Sequence, residues 1–345
     1  QQFLFNIMKI YKVPDDKRYW VVRADSGEFY NHFIENEVVA LGHINGLYDY
    51  FPLYKELDIT SEKLERDCKM LYEERGVDNR RSGAYTGQVK AFVNEVKIGD
   101  WVITIGHHEV SIGRIVSGSY LEKAPLRIKA SKKCLSYELR RNVIWGVRFN
   151  KNSLPFGIKK TLQSTLTIFN IDKHWDSIHY SLYPYFRRGD KLYLSTKIGA
   201  DNKIKNYHLT SFLIFLNEIE VIAKENNDIT IESFKEVFNK YAENDLMTMT
   251  TQAEFHSPGE IWAAITGFVG NIDTAMTYII LGYSMIFGNS KLGFDGVVDV
   301  ETRRKLYTLY FERKKENNID NATNSMKLKP QEQDTTKLED DSNDE

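Results

Sequence analysis

The stretch that decides the fold of the first half is KIGDWVITI, residues 97–105. Gly99 and Asp100 form a turn signal, and the apolar run that begins at Trp101 is typical of a buried β-strand. Further apolar runs bounded by turn residues lie on both sides of it, at 19–24 (YWVVRA), 38–42 (VVALG), 110–117 and 142–147. An amphipathic helix is predicted at 60–75. Short strands with one long helix between them predict a small mixed β-barrel rather than a βαβ repeat.

From residue 162 onward the pattern becomes mainly helical. One last strand is predicted at 189–196, and apolar residues then recur at helical spacing in 208–224 and 230–242, which predicts an antiparallel helix pair. The sequence Ser257-Pro258-Gly259-Glu260 combines a capping residue, a proline suited to the first helical position and a glutamate that can reach back. It predicts the start of a further helix.

The domain organisation follows from these elements and from the composition of the last residues. Beyond Asn317 the chain is polar, acidic and free of aromatic residues, so we expect it to be disordered. The predicted fold class is α+β, with an N-terminal extension at 1–17, the mixed barrel at 18–178, a mainly helical domain at 179–314 and a disordered acidic tail at 315–345.

Charge is distributed unevenly along the chain. The formal net charge is −2, but the tail from Lys315 onward carries nine acidic residues and four lysines, so the rest of the chain is at +3. A mildly basic body is compatible with nucleic-acid binding. The two cysteines, Cys68 and Cys134, lack a CxxC spacing, and no secretory signal opens the sequence. We therefore expect a cytoplasmic protein without a structural metal.

Several sequence blocks of the first half occur in the order seen in a known family. They are 19–24, 38–43, the run QVKAFVNEVKIGDWVIT at 88–104, 112–115, 141–145, 154–155 and 161–169. Together they resemble the N-terminal domain of Mrr-type restriction endonucleases, a member of the PUA-like superfamily that includes the EVE and YTH readers. The resemblance covers about half of the chain. Where the family usually has a tryptophan after the glycine that ends the second strand, this chain has His43.

The resemblance implies a barrel that holds a nucleotide at its mouth, in some members as a base flipped into an aromatic pocket. Flipping costs a few kcal/mol, which stacking at about 1–3 kcal/mol per base and hydrogen bonds to the base edge can offset. For the tryptophans the alternative role is packing in the core. The candidate stacking rings are Trp20, Tyr30, His43, Tyr85 and Trp101, and the candidate polar contacts are Arg23, Gln88 and Asn94.

A basic cluster lies later in the same region. Its side chains either follow a phosphate backbone or form an ordinary solvated surface. The cluster consists of Arg127, Lys129, Lys132, Lys133, Arg140 and Arg141.

In Mrr-type enzymes a PD-(D/E)xK nuclease follows the reader domain, and the second half of this chain contains residues of the same types. Asp299 in the segment GFDGVVDV, together with Glu312 and Lys314, could hold Mg²⁺ and activate water. However, Val300, Arg304, Tyr307 and Phe311 fall on one helical stripe, and in a helix Glu312 and Lys314 point apart. The sequence does not decide whether the chain is an enzyme, and we favour the expectation that it has no enzymatic activity. Mg²⁺ is a cofactor only under the nuclease alternative.

The most apolar region, 261–287, raises a second alternative, action at a membrane. Gly270-Asn271-Ile272-Asp273 splits this region into pieces shorter than the roughly 20 residues that span a bilayer, which favours buried helices or an oligomer interface. The sequence thus predicts a bacterial sensor of restriction-like or phage-defence type that reads a modified or flipped base. DNA is the expected nucleic acid, and the helical domain is expected to bind a second copy or a partner protein.

Overall fold

The computed structural model describes residues 10–47, 49, 61–154, 156–200, 203–225, 228–254, 259–268, 270–288, 299–331 and 333–338. They divide into two compact units. The N-terminal unit comprises Asp16–Ile178 and the tail segment 333–338, and the C-terminal unit comprises 10–15 and 179–331. Each unit contains both strands and helices, which confirms the α+β class.

Strands and helices are interspersed along the whole of the described chain. Up to residue 170 they are β1 Tyr11–Lys12, β2 Tyr19–Val22, α1 Tyr30–Glu35, β3 Val38–Leu41, α2 Ser61–Glu74, α3 Asn79–Lys90, β4 Trp101–Ile105, β5 Glu109–Ile115, β6 Tyr120–Leu121, β7 Leu126–Ile128, β8 Ser131–Leu135, β9 Leu139–Asn150, α4 Phe156–Thr161 and β10 Ile168–Asn170. They continue with α5 Trp175–Leu182, β11 Tyr185–Arg188, β12 Lys191–Ile198, α6 Asn206–Lys224, α7 Phe234–Glu243, β13 Thr250–Glu254, β14 Gly259–Ile265, α8 Ile272–Ile286, α9 Val300–Glu316, α10 Ile319–Met326 and β15 Leu328–Pro330.

The N-terminal unit is built on a seven-stranded sheet in the order β10-β2-β4-β5-β9-β3, with β6 also paired to β9. Strands β2 and β4 run parallel, and the other neighbours are antiparallel. All residues of β2, β3 and β4 are buried, as expected for strands covered on both faces. Five predicted strands and one predicted helix of this unit are confirmed. The strands are β2, β3, β4, β5 and β9, predicted at 19–24, 38–42, 101–105, 110–117 and 142–147, and the helix is α2, predicted at 60–75.

A second long helix, α3, lies between α2 and β4, where the sequence predicted only one helix. Its start is capped by the Asp78 carboxylate, which accepts a hydrogen bond from the backbone NH of Arg81 at 3.1 Å. Gly83, Gly87 and other small residues interrupt its apolar face. The periodicity that identified α2 is therefore too weak in α3 to reveal it.

The C-terminal unit contains a six-stranded sheet in the order β1-β11-β12-β14-β13, with β15 also paired to β12. Helices α6, α8, α9 and α10 contribute to its apolar core. The helices predicted at 208–224 and 230–242 are confirmed as α6 and α7, but the expectation of a mainly helical domain overlooked the strands β13 and β14.

The helix start predicted at residues 257–260 is wrong for the part that the structure describes. Residues 257 and 258 lie outside the described residues, and Gly259 begins strand β14, which pairs with β12 from Gly259↔Ile198 to Ile265↔Leu192. Pairing over this whole length outweighs the local capping signal. The apolar region 261–287 is therefore a strand followed by helix α8. No helix in the described part of the chain is long and apolar enough to cross a membrane.

The prediction of a disordered tail is wrong for residues 317–331 and 333–338. Ile319, Ala322 and Met326 of α10 are fully buried in the C-terminal core, and β15 follows with Leu328 opposite Ile198. Leu338 is buried in the N-terminal unit, against Gly146. A few apolar residues at helical spacing thus order a segment whose average composition is polar. The same prediction for residues 339–345 falls outside the described residues.

Candidate nucleic-acid interface

His43 and Tyr85 form a ring stack at the end of strand β3. His43 lies two residues after β3, and its imidazole stacks on the Tyr85 ring of α3 with centroids 4.6 Å apart and planes 17° apart. Both side chains are half-buried. Gly42 lets the chain approach Tyr137 so closely that a Cβ atom there would lie 2.5 Å from the Tyr137 ring. The turn that presents His43 therefore requires glycine.

Tyr72 of α2 also contacts Tyr85 and completes this cluster. The Tyr72 and Tyr85 rings meet edge to face at 5.7 Å, and Tyr72 is only 2% exposed. Among the described residues, neither His43 Nε2 nor the Tyr72 hydroxyl has a hydrogen-bond partner, although both atoms are buried. A buried polar atom without a partner costs about 1–3 kcal/mol, so two of them beside one ring mark an incomplete polar site. We call His43, Tyr72 and Tyr85 the aromatic cluster.

Electrostatics keep the imidazole of this cluster neutral. Burial lowers the pKa of His43 from its ordinary value of 6.5, and a hydrogen bond with Gln88 opposes this shift. Burial also raises the pKa of Tyr72 well above its ordinary range. At neutral pH the cluster thus presents an uncharged imidazole and an uncharged phenol, which are groups that can pair with a base edge rather than with a phosphate.

Gln88 and Arg23 hold the segment beside the cluster. The Gln88 side-chain oxygen accepts hydrogen bonds from the backbone NH groups of Thr167 at 2.6 Å and Ile168 at 3.2 Å. The Arg23 backbone NH bonds to the Thr167 carbonyl at 2.8 Å, and its guanidinium donates to the Leu162 carbonyl. Burial lowers the pKa of Arg23. Four of the eight predicted site residues, His43, Tyr85, Gln88 and Arg23, therefore share one neighbourhood, in which Gln88 and Arg23 position the backbone.

Three other predicted residues are packed in the interior. Trp20 is 2% exposed and donates from Nε1 to the Asp100 carboxylate at 3.0 Å. Trp101 is completely buried, with the Arg114 guanidinium 4.9 Å above its ring. Tyr30 is buried and its hydroxyl lies 2.5 Å from the Ser111 hydroxyl. These rings have no surface left for a base.

Asn94, the remaining predicted contact, is exposed in a π-helical turn at Ala91–Glu95, beyond the end of α3. The sequence reasoning missed Asp100, which is 1% exposed and also accepts from the backbone NH groups of Lys97 at 2.9 Å and Arg18 at 3.1 Å. Asp100 joins the start of β4 to β2. Its signal was the turn Gly99-Asp100 itself.

The basic cluster divides into two parts. Arg141 is buried and donates to the carbonyls of Phe92 at 2.9 Å and of Ser117 and Val93 at 3.0 Å, and burial lowers its pKa to about 10. Arg140 is likewise buried and donates to the carbonyl of Tyr137 at 2.8 Å. Both guanidiniums are used within the fold, so neither is available to a phosphate.

The exposed part of the basic cluster lies on the β7–β8 hairpin. Arg127, Lys129, Lys132 and Lys133 are all solvent-exposed. Lys133 pairs with Glu28, whereas the other three have no ion-pair partner within the described ranges. We call these four residues the basic hairpin. They form an exposed cationic strip of the kind that contacts phosphates.

The basic hairpin is anchored beside the turn that carries His43. Asn45 donates to the Ser136 carbonyl at 2.9 Å and accepts from the Glu138 backbone NH at 3.1 Å, and Glu138 in turn accepts from the Gly46 NH at 2.9 Å. The His32 imidazole also lies 2.8 Å from the Lys133 carbonyl. The loop 42–47 and the end of the hairpin are thus one hydrogen-bonded surface.

The alternative nuclease residues do not converge. Asp299 caps α9, accepting from the backbone NH groups of Glu301 at 3.0 Å and Thr302 at 2.9 Å, whereas Glu312 and Lys314 lie near the other end of this helix. At 1.5 Å per residue, Asp299 and Glu312 are about 20 Å apart along the axis. Lys314 pairs with Asp320 at 2.8 Å. Within the described residues, no group of three His, Cys, Asp or Glu side chains is placed to hold a metal ion.

Comparison with known protein families and with curated proteins finds no match for this chain.

Proposed function

We propose that the N-terminal unit is a nucleic-acid sensor that receives a single base at the aromatic cluster and binds the adjoining phosphates with the basic hairpin. The PUA-like resemblance of the sequence agrees with this proposal, and by that analogy the chain is a bacterial restriction-like or phage-defence sensor of modified or flipped bases in DNA. The observation that carries it is the pair of unpartnered buried polar atoms, His43 Nε2 and the Tyr72 hydroxyl, on two residues that both contact the Tyr85 ring.

In this proposal Tyr85 occupies the place of the base. His43 is hydrogen-bonded to Gln88 and Tyr72 is buried, so in this proposal the half-buried Tyr85 is the ring of the three that turns outward. A base that takes its position stacks on His43 and offers its edge to Nε2 and to the Tyr72 hydroxyl. Stacking and two edge hydrogen bonds are of the size needed to offset the cost of exposing a base.

The basic hairpin supplies the sequence-independent part of binding. Each lysine or arginine that neutralises a phosphate releases condensed counterions. For each such contact, the logarithm of the binding constant falls by about 0.7–0.9 for every tenfold rise in salt concentration. The segment that follows the hairpin is bonded to the loop that presents His43, so in this proposal the nucleic-acid backbone runs from the base site toward the hairpin. Base and backbone contacts are thereby separated into two sets of residues.

The test is fluorescence anisotropy with the full chain and labelled DNA and RNA oligonucleotides. The oligonucleotides are single- and double-stranded, and the DNA is used plain, methylated and hydroxymethylated. His43→Ala should weaken binding about 5- to 150-fold, the equivalent of 1–3 kcal/mol. Tyr85→Ala should leave affinity equal or tighter, because it empties the base position. Tyr207→Ala, which removes a 61% exposed ring from the C-terminal unit, is the matched control and should change nothing.

Hairpin variants report on the second part of the site. Lys129→Glu and Lys132→Glu should each weaken the binding of all oligonucleotides alike. Each should also reduce the slope of log binding constant against log salt concentration by about one unit, whereas Lys235→Glu on α7 should change neither quantity. Absence of binding to every DNA oligonucleotide, with RNA alone bound, would exclude DNA as the target. Absence of binding to both would exclude the proposal.

A further inference from the structure

Helix α9 has two apolar faces, and the residues that the structure describes cover only one of them. Leu306, Leu309 and Tyr310 lie in the C-terminal core at 2%, 4% and 0% exposure. On the opposite side Val300, Tyr307 and Phe311 are 70%, 40% and 49% exposed. The sequence had placed these three on one stripe with Arg304. An exposed stripe of large apolar side chains on a helix marks an interaction surface rather than a solvated face.

The charges on this exposed face are arranged so that they complement themselves in reverse order. Glu301 lies near the start of α9 and Lys315 near its end, while Arg304 and Glu312 lie between them. Arg304, Glu312 and Lys315 form no ion pair among the described residues, and Glu301 pairs only with Lys305 one turn away, at 3.3 Å. Thr308 is the midpoint of both oppositely charged pairs, Glu301 with Lys315 and Arg304 with Glu312.

We propose that α9 docks against α9 of a second copy of this chain, antiparallel and with the two-fold axis at Thr308. Such a pairing sets Glu301 opposite the partner's Lys315 and Arg304 opposite the partner's Glu312, and the symmetry makes each contact twice. Tyr307 and Phe311 of both copies then lie at the centre. A parallel pairing would instead set every charge against its own copy, which is repulsive.

The size of the face predicts how tight this dimer is. A helix of 17 residues is about 25 Å long, and one helix face buries less than the roughly 800 Å² per partner of a standard stable interface. We therefore expect a reversible dimer that forms in the micromolar range. The proposal is independent of nucleic-acid binding and gives the expected homo-oligomer of the C-terminal unit a specific surface.

The experiment is sedimentation velocity on the full chain from about 1 to about 200 µM, the range in which micromolar association is resolved. The average mass should rise from 40.2 kDa toward twice that value. Phe311→Asp should remain monomeric throughout. Arg304→Glu and Glu312→Arg should each weaken association at least about tenfold, whereas the double variant Arg304→Glu/Glu312→Arg should restore it.

The control is Lys240→Glu, an exposed charge change on α7 that should leave the dimer intact. Restoration by the double charge exchange cannot arise from misfolding, so it separates a direct contact from a damaged fold. A chain that is monomeric at every concentration overturns the proposal. So does a dimer that survives Phe311→Asp, or a double variant that is no better than its single parents.

Discussion

The Glu220 cluster of the C-terminal unit and the aromatic cluster of the N-terminal unit treat their buried polar groups in opposite ways. In the C-terminal unit, the Glu220 carboxylate is completely satisfied by Lys224 Nζ at 2.7 Å, the Thr248 hydroxyl at 2.8 Å and the backbone NH groups of Thr248 at 2.6 Å and Met249 at 3.0 Å. In the aromatic cluster of the N-terminal unit, two buried polar atoms have no partner among the described residues. A satisfied network serves the stability of the fold, whereas the incomplete one at the aromatic cluster is where we propose that a base binds.

The largest expected effect comes from removing residues 317–345, because residues 317–331 of this segment belong to the C-terminal unit. The truncation removes Ile319, Met326 and Leu328, which are buried. Shortening a single buried side chain of this kind already lowers the free energy of unfolding by about 2–5 kcal/mol. We expect the truncated chain to lack a cooperative unfolding transition of the C-terminal unit in calorimetry. In the full chain, Met326→Ala should markedly lower the melting temperature of the C-terminal unit. Ser325→Ala, at an exposed neighbouring residue, should leave it unchanged. An unchanged transition after truncation would mean that this segment is dispensable.

Glu220→Ala should be the next largest effect. It leaves the Lys224 ammonium buried without its carboxylate, and breaking a buried ion pair in this way costs about 3–5 kcal/mol. Urea unfolding measures the loss. Glu65→Ala, which removes an ion pair with Lys90 whose side chains are 58% and 36% exposed, should cost less than about 1 kcal/mol. The double variant Glu220→Leu/Lys224→Met should be less damaging than Glu220→Ala, and equal damage would show that the charge is not the cause.

A pair of tyrosine substitutions tests the comparison most directly. Tyr72 and Tyr283 are both 2% exposed, but the Tyr283 hydroxyl donates to the Ser195 carbonyl at 2.6 Å and lies 3.0 Å from the Thr196 hydroxyl. Tyr283→Phe should destabilise the chain by about 0.5–1.5 kcal/mol, the net value of a hydrogen bond. Tyr72→Phe should leave stability unchanged or raise it, while weakening oligonucleotide binding. A Tyr72→Phe variant that is as unstable as Tyr283→Phe would show that the Tyr72 hydroxyl is satisfied in solution.

The smallest expected effect is a pH dependence at His43. Burial lowers its folded-state pKa, so the unfolded chain binds a proton at a higher pH than the folded one does. The stability due to neutral His43 is therefore complete above its ordinary pKa of 6.5 and is lost as the pH falls from there toward the folded-state pKa. Urea midpoints measured from about pH 7.5 to about pH 5 should fall less steeply in His43→Gln than in the unmodified chain. Equal slopes would place His43 in a solvent-like environment.

Five strands of the N-terminal unit, β2, β3, β4, β5 and β9, could be predicted because each contains an apolar run beside turn residues, as in KIGDWVITI, whereas the shorter β6, β7 and β10 and the polar β8 could not. Strands β13 and β14 could not, because their pairing with β12 and with each other depends on residues far away in sequence. The apolar spacing of α10 was present but diluted by polar residues. Composition over a long segment therefore concealed three fully buried side chains, Ile319, Ala322 and Met326.

The candidate site was predictable only in part for a similar reason. The family resemblance indicated His43, Tyr85 and Gln88, which the fold brings together. It also indicated Trp20 and Trp101, but a tryptophan in an apolar strand looks the same in sequence whether it faces a core or a ligand. Tyr72 was visible only as an apolar position of α2. For α9, the sequence showed the stripe through Val300, Tyr307 and Phe311 and gave no means of deciding whether the core covers it.

The first and last described segments each belong to the unit that is farther away in sequence. Residues 10–15 belong to the C-terminal unit, and residues 333–338 belong to the N-terminal unit. During synthesis the seven-stranded sheet leaves the ribosome first, yet the Leu338 side chain that packs on Gly146 emerges only after β15, the strand that pairs with β12. We therefore expect that the C-terminal unit completes its folding only after β15 has emerged and the N-terminal unit only after Leu338 has emerged. A nascent chain arrested before residue 338 would expose the Gly146 surface to chaperones.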